Sequence, residues 1–308
     1  MRIDLVGLGA VGASYGARLL QAGEDVRVVV DPVRATRYGD APTIVNDEAV
    51  PFPLRSAADD EPAELVLVCV KRAHLDAAIA QLRASVGSGT IVVSLLNGID
   101  SEEVLAAAFP QARVLLAVSV GIDAVRDDRR VRYTSLGRIV FGEPTNGPVP
   151  SSAVAAVAAV LEHAGIAHEV PADMQRELWW KFLVNVGVNQ VSAVLKAPYR
   201  VLQQPGSPAR DVMVAAQREV LAVARARGID LGEADIERWL TVLAGLGPDS
   251  YTSMAQDALA GRPTEVESFA GAVIDHGRRT GVPIPVNQTL YGLLRAAEPG
   301  PGAAGGAA

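Results

Sequence analysis

Three glycines, Gly7, Gly9 and Gly12, lie between the apolar run Arg2-Ile-Asp-Leu-Val6 and the helix-like run 13–23, and they leave this chain few folds to choose from. A strand must turn sharply into a helix at that point. Gly7 permits the tight turn, Gly9 lets a pyrophosphate approach the backbone, and Gly12 lets the helix pack closely on the strand, with the helix N-terminus facing the phosphates. The spacing alone is a weak signal, since a glycine-rich turn without a nucleotide would share it. The strand before and the helix after it make a dinucleotide site the expectation, lined by Gly7, Leu8, Gly9, Ala10, Val11 and Gly12.

Strand and helix patterns then alternate. Strands are expected at 25–31, 65–70, 90–96, 113–120 and 166–170, and helices at 74–86, 102–108 and 151–164. The stretch 43–54 has hairpin character, and 130–133 with 138–141 reads as an antiparallel pair. Such alternation implies an α/β fold, a Rossmann-type doubly wound, mostly parallel sheet over residues 1–170. After Pro171 the patterns are helical only, at 173–195, 209–227, 233–244, 254–260, 264–280 and 286–297, which implies an all-α C-terminal domain over 171–298. The tail 299–308, made of Gly, Pro and Ala, has nothing to bury and is expected to be disordered. The cleft between the two halves is the default substrate site.

Bulk properties narrow the function. A chain of 308 residues suits two domains, and 49% hydrophobic residues support well-buried cores. A net charge of −7 argues against a nucleic-acid surface, and the basic run 126–132 also carries Asp127 and Asp128 and reads as a solvated loop. No signal peptide precedes the first strand and no apolar run approaches the ~18 residues of a membrane span, so a cytoplasmic protein away from membranes is expected. The single cysteine, Cys69, excludes an internal disulfide and lies in an apolar run, where it reads as packing. The four histidines show no metal spacing.

Chemistry is concentrated in a few polar residues. Of 28 basic residues only Lys71, Lys181 and Lys196 are lysines, so a lysine marks a place where a compact, titratable ammonium matters. Lys181, Asn185 and Asn189 follow one another at four-residue steps on the long helix, along one face over about 12 Å. They form either a structural hydrogen-bond network or the wall of the cleft, with Lys181 donating to a carbonyl oxygen and the asparagines holding a hydroxyl or carboxylate. Lys71 and Asn97-Gly98 follow the carboxyl ends of neighbouring parallel strands, where open α/β sheets place ligands. Asp31 ends the second strand, where a carboxylate favours a ribose 2′-hydroxyl and repels a 2′-phosphate. Ser253 with Gln256, and Thr264 with Glu267, fit capping boxes, with Glu265 at a first helical position; from the residues alone these are helix caps.

Taken together, these residues make the chain resemble the ketopantoate reductase (2-dehydropantoate 2-reductase) family from residue 1 to about 297. The resemblance is carried by Gly7-Leu-Gly-Ala-Val-Gly12, Val70-Lys71, Leu96-Asn97-Gly98, Trp180-Lys181-Phe-Leu-Val-Asn185-Val-Gly-Val-Asn189, Thr252-Ser253-Met254-Ala-Gln-Asp257, Arg262-Pro-Thr-Glu265 and Gly281-Val-Pro-Ile-Pro-Val-Asn287. The Lys-x-x-x-Asn element is shared with other hydroxyacid dehydrogenases whose helical domains resemble the C-terminal domain of 6-phosphogluconate dehydrogenase. The Ser-Met and Thr-Glu elements point to this family. The resemblance implies that Lys181 protonates the ketone oxygen as hydride reaches C2, and that Glu265 orients the substrate hydroxyl and the lysine. It implies further that Ser253, Asn185 and Asn189 bind a small keto acid, that Asn97 bridges cofactor and substrate, and that Lys71 contacts the cofactor.

NADPH is the cofactor the family implies, with Arg34 or Arg37 clasping its 2′-phosphate, while Asp31 keeps NAD open. A place in pantothenate and coenzyme A synthesis follows from the same resemblance, while a homodimer is expected from the apolar helical second half. Gln190 stands where many relatives have proline, which reshapes the end of the substrate pocket. Ser119-Val-Gly-Ile122 lacks the threonine-rich stretch and histidine of the enteric enzymes. These departures keep a second reading open, reduction of another branched 2-oxo or 3-oxo acid. A non-catalytic NAD(P)-binding sensor is a third, against which the Lys181 and Glu265 pair stands.

Overall fold

The computed structural model describes residues 1–39, 41–57 and 61–298. The tail 299–308 and the Arg37 side chain lie outside the described residues. Contacts divide the chain into two compact units, Met1–Leu178 and Trp179–Ala308.

The first unit begins with β1 (Arg2–Val6), α1 (Ala10–Gln21), β2 (Asp25–Val30), α2 (Pro32–Gly39), β3 (Thr43–Val45), β4 (Glu48–Val50), β5 (Leu54–Ser56) and β6 (Leu65–Val68). It continues through α3 (Leu75–Gln81), β7 (Ile91–Ser94), α4 (Ser101–Ala108), β8 (Arg113–Val120), β9 (Val125–Asp127), β10 (Arg130–Arg132), β11 (Arg138–Gly142), α5 (Ser152–His163) and β12 (Ala167–Glu169). Eight strands make the main sheet in the order β12-β11-β8-β7-β6-β1-β2-β5. The run from β8 to β5 is parallel throughout, while β11 is antiparallel to β8 and parallel to β12. This is the expected Rossmann-type α/β sheet. Its order reverses at β1, which has β2 on one side and β6 on the other, and ligands of such sheets bind at the carboxyl ends beside that switch.

Alternate residues of the same strands feed two cores. Leu65 and Leu67 join Tyr15 and Leu19 of α1 and Val157 and Leu161 of α5. Val66 and Val68 join Leu75 of α3 and Leu105 of α4. Burial on both faces explains why the central strands read as unbroken apolar runs. At the sheet's edge Arg55 of β5 is buried, and its guanidinium donates to Asp4 of β1.

Several expectations needed correction. The segments 130–133 and 138–141 do not pair with each other: β10 pairs with β9 and β3 in a separate four-stranded sheet, and β11 pairs with β8 and β12. Ile139, Val140 and Phe141 are all buried, so β11 needs the covered interior of the main sheet, whereas β10 buries only Val131. The basic run 126–132 is a β-hairpin rather than a loop, with Arg130 and Arg132 both paired to Asp47. Helix α1 starts at Ala10, inside the glycine turn, and the short helix α2 had no expected counterpart.

In the second unit every named element is helical: α6 (Met174–Leu195), within which the division of the chain falls, then α7 (Arg200–Gln203), α8 (Pro208–Ala226), α9 (Glu233–Ala244), α10 (Ser253–Leu259), α11 (Ala270–Thr280) and α12 (Pro285–Ala297). Residues 182–193 of α6 are buried all round, so this stretch of the helix has no solvent-exposed face. Trp180 Nε1 donates to the Asp235 carbonyl at 3.2 Å, with Arg238 stacked over its ring at 3.8 Å. The Gly281–Asn287 motif is a helix junction. Gly281 ends α11 in the left-handed region at φ 71°, Pro285 opens α12, and the Glu219 carboxylate of α8 accepts from the Val286 and Asn287 N–H groups. The expected helix 264–280 is broken: a 3₁₀ turn (Val266–Ser268) precedes α11, with Phe269 non-helical between them. Among the described residues no helix is long and apolar enough to cross a membrane.

Candidate active site

The glycine turn has the steric character its residues imply. Gly7 has φ 100°, and a Cβ there would meet the Cys69 carbonyl oxygen at 2.7 Å. A Cβ on Gly12 would lie 2.0 Å from the Gly7 oxygen and 2.9 Å from the Cys69 Cβ. Gly9 differs: its nearest neighbour would be 3.8 Å away, so the space beside it is open to a ligand. Gly9 is also the N-cap of α1 and offers no side-chain acceptor, and the first turn, with Ala10 and Val11, holds no carboxylate. The first N–H groups and the positive end of the helix dipole are therefore available to an anion. Leu8 is buried beneath the turn. Cys69, just beyond β6, is packing against the turn, and burial pushes its thiol up to about 12.

The other residues expected at the cofactor follow carboxyl ends of β2, β6 and β7. Asp31 caps α2, its Oδ1 accepting the Arg34 N–H at 2.8 Å. Its Oδ2 lies 3.6 Å from Arg34 Nη1 and accepts from Gln81 at 3.3 Å. Both Asp31 and Arg34 remain partly exposed. Lys71 is exposed beyond β6, ahead of a 3₁₀ turn (Arg72–His74). Asn97 is partly buried beyond β7, before Gly98 at φ 109°. The sheet thus gathers the glycine turn, Asp31, Lys71 and Asn97 at one edge, because parallel strands all end on the same side.

In the second unit Lys181, Asn185 and Asn189 lie on the unbroken helix α6, so their four-residue steps keep them on one face. Both asparagines are buried. Lys181 is partly exposed, yet burial lowers its pKa from 10.5 to about 8. Ser253 is exposed at the first position of α10 and is not the cap; Thr252 is, its Oγ1 accepting the Ala255 N–H at 3.1 Å. Thr264 does not cap either, since its hydroxyl and N–H both donate to Glu298. Glu265, partly buried, precedes the 3₁₀ turn and makes no side-chain cap bond there. Arg262 donates to Asp257 through both its side chain and its backbone, at 2.8 and 2.9 Å, and so closes the loop between α10 and Glu265. That clasp was not assigned from sequence; a carboxylate and a guanidinium five residues apart across a Gly-containing turn was its available signal. Among the described residues no cluster of His, Cys, Asp or Glu could hold a metal ion.

Comparison with known proteins adds the remaining observation. The family model described as ketopantoate reductase PanE/ApbA matches residues 3–146, and the model of its C-terminal part matches 173–298. A 2-dehydropantoate 2-reductase of Halobacterium salinarum is 31% identical over 315 residues, covering 97% of this chain and 99% of the relative. The solved structure of a PanE/ApbA family ketopantoate reductase from Ralstonia eutropha JMP134 superposes with a TM-score of 0.83 at 28% identity, over 96% of this chain and 98% of the other. A dimeric ketopantoate reductase from Staphylococcus aureus shares the fold, with a TM-score of 0.81 at 21% identity over 97% and 99% of the two chains.

Proposed function

The chain belongs to the ketopantoate reductase family, and from that premise we propose that it reduces 2-dehydropantoate to pantoate with NADPH, using Lys181 as the general acid. The observation that carries this reading is Lys181 itself, an ammonium brought to about 8 by burial on a helix whose next polar turns are Asn185 and Asn189. The fit of the cofactor rests on the open space at Gly9 beside an uncapped helix start. When bound, NADPH supplies the hydride. Addition to C2 moves the carbonyl electron pair onto oxygen, and the Lys181 ammonium stabilises that growing charge and then transfers its proton, leaving the hydroxyl of pantoate. A pKa near 8 keeps most of the lysine protonated at neutral pH while making its proton easier to give up. Asn185, Asn189 and Ser253 are the residues to hold the acid's carboxylate and hydroxyl, and Glu265 the one to orient the substrate hydroxyl and the lysine.

Arg34 supports NADPH over NADH. The Asp31 carboxylate already accepts from the Arg34 backbone and lies beside its guanidinium, which leaves a partly exposed cation at the end of β2 for a 2′-phosphate. Gln190 gives no ground for a different keto acid. It lies half a turn round α6 from Lys181. There its Nε2 donates to the Val186 carbonyl and to Asn287 Oδ1. A homodimer in the cytoplasm completes the reading, supported by the dimeric S. aureus relative. Steady-state kinetics with 2-dehydropantoate and each reduced cofactor in parallel test it: turnover with NADPH well above that with NADH is expected, and no oxidation of either cofactor rejects it.

A further inference from the structure

Beneath the turn that carries Asn97 runs a row of buried polar side chains to which the reduction assigns no part. Ser94 ends β7, Ser101 and Glu102 open α4, and all three are buried. Ser94 Oγ and Ser101 Oγ are 2.8 Å apart, Ser101 Oγ donates to Glu102 Oε2 at 2.9 Å, and the Leu96 N–H reaches Ser94 Oγ at 3.4 Å. The acidic end sets the direction of this chain. A serine hydroxyl has one proton, and Ser101 gives its proton to the carboxylate. The contact between the two hydroxyls must then use the Ser94 proton, which leaves the Ser94 lone pairs to accept from Leu96. Every link runs from the turn toward Glu102.

The charged form of a carboxylate in this position is disfavoured by its surroundings. Burial pushes Glu102 up to about 7, against the opposing pull of Ser101 and of backbone N–H groups that include Ala117 on β8. The remainder of α4's inner face is apolar, with Leu105 in the core, so packing alone does not call for an acid here. Leu95, the first residue of the turn, is held to the sheet by its N–H bond to the Val68 carbonyl at 2.9 Å. Leu96 is the next residue, and Asn97 follows it directly.

We propose that Glu102 is a positioning residue for the reduction: through Ser101 and Ser94 it holds the turn 95–98, and with it Asn97, in the arrangement that cofactor and keto acid require. This rests on the reductase reading above and on the part the family resemblance implies for Asn97, a bridge between cofactor and substrate. The test compares E102A, E102Q and S94A with the wild type in the full-length protein. It measures NADPH affinity by fluorescence titration, KM for 2-dehydropantoate, kcat and melting temperature. Wild-type turnover judges the functional reading by itself, and NADPH affinity reports on the turn whichever keto acid is the substrate.

The expected result is that E102A weakens NADPH binding and raises KM by about tenfold each, the effect of leaving one buried hydroxyl donor without its acceptor, with kcat changed by less than about threefold. S94A cuts the row at the turn while leaving Glu102 in place, and it reproduces the shift. E102Q retains an oxygen that accepts the Ser101 proton, and it returns to within about threefold of wild type. Wild-type NADPH affinity and KM in S94A would overturn the proposal even if E102A failed to fold. So would an E102Q variant as impaired as E102A, or an E102A variant that lowers only the melting temperature.

Discussion

At the scale of single residues, burying an ammonium disfavours its charged form, and Lys181 shows the consequence in a pKa near 8 in place of 10.5. The protonated fraction is high below that value and falls as the pH rises through it. A proton donor is therefore lost on the alkaline side: kcat for reduction is expected to fall about tenfold per pH unit above pH 8, while oxidation of the hydroxy acid gains. A flat profile up to pH 9.5 would count against the acid role. K181A should lower kcat by about 10²–10⁴-fold and leave cofactor affinity nearly unchanged. R34A tests the cofactor preference. Its kcat/KM with NADPH should drop by about 10–100-fold and with NADH hardly at all, as expected for loss of a charged contact to the 2′-phosphate alone. Lys181 was readable in the sequence because lysine is scarce here and the asparagines repeat at helical spacing. The capping bond of Asp31 was not, since it depends on α2, a helix of only eight residues with few apolar side chains.

At the scale of elements, the glycine turn separates a steric requirement from a binding one. G12A drives a methyl group into the Gly7 carbonyl and Cys69, and should destabilise the protein by about 1–3 kcal/mol. G9A meets nothing closer than 3.8 Å, so its melting temperature should match the wild type while NADPH affinity falls. Thermal melts and cofactor titration of the two variants check this; equal loss of stability in both would contradict it. Helix ends were harder to read than helix bodies. Thr252 and Ser253 are both competent caps, and the backbone path into α10 chose the first. The pattern 264–280 is continuous in sequence, yet Thr264 is drawn to Glu298 and Glu267 accepts from Tyr291, so the two residues of the apparent capping box bond to other partners. The partners of β10 and β11 were misjudged because a short alternating segment does not carry the identity of the strand it will meet.

At the scale of the whole molecule, a ligand that binds only the folded chain stabilises it by mass action. NADPH at a hundred times its dissociation constant should add about 3 kcal/mol and raise the melting temperature by roughly 5–10 °C. NADH at the same concentration should raise it less, and no shift with either would remove the basis for the cofactor site. The sequence alone determined the fold class, the bodies of most strands and helices, the glycine turn and the polar stripe of α6. These follow from local periodicity and from the space a Cβ occupies, and neighbouring residues carry both. Only the tertiary structure decided the order of the main sheet, the burial of Arg55 against Asp4, the clasp of Asp257 on Arg262 and the row from Leu96 to Glu102. Each of these joins groups whose partners are chosen by packing, because strand pairing, hydrogen bonding and desolvation depend on which surfaces the folded chain brings into contact.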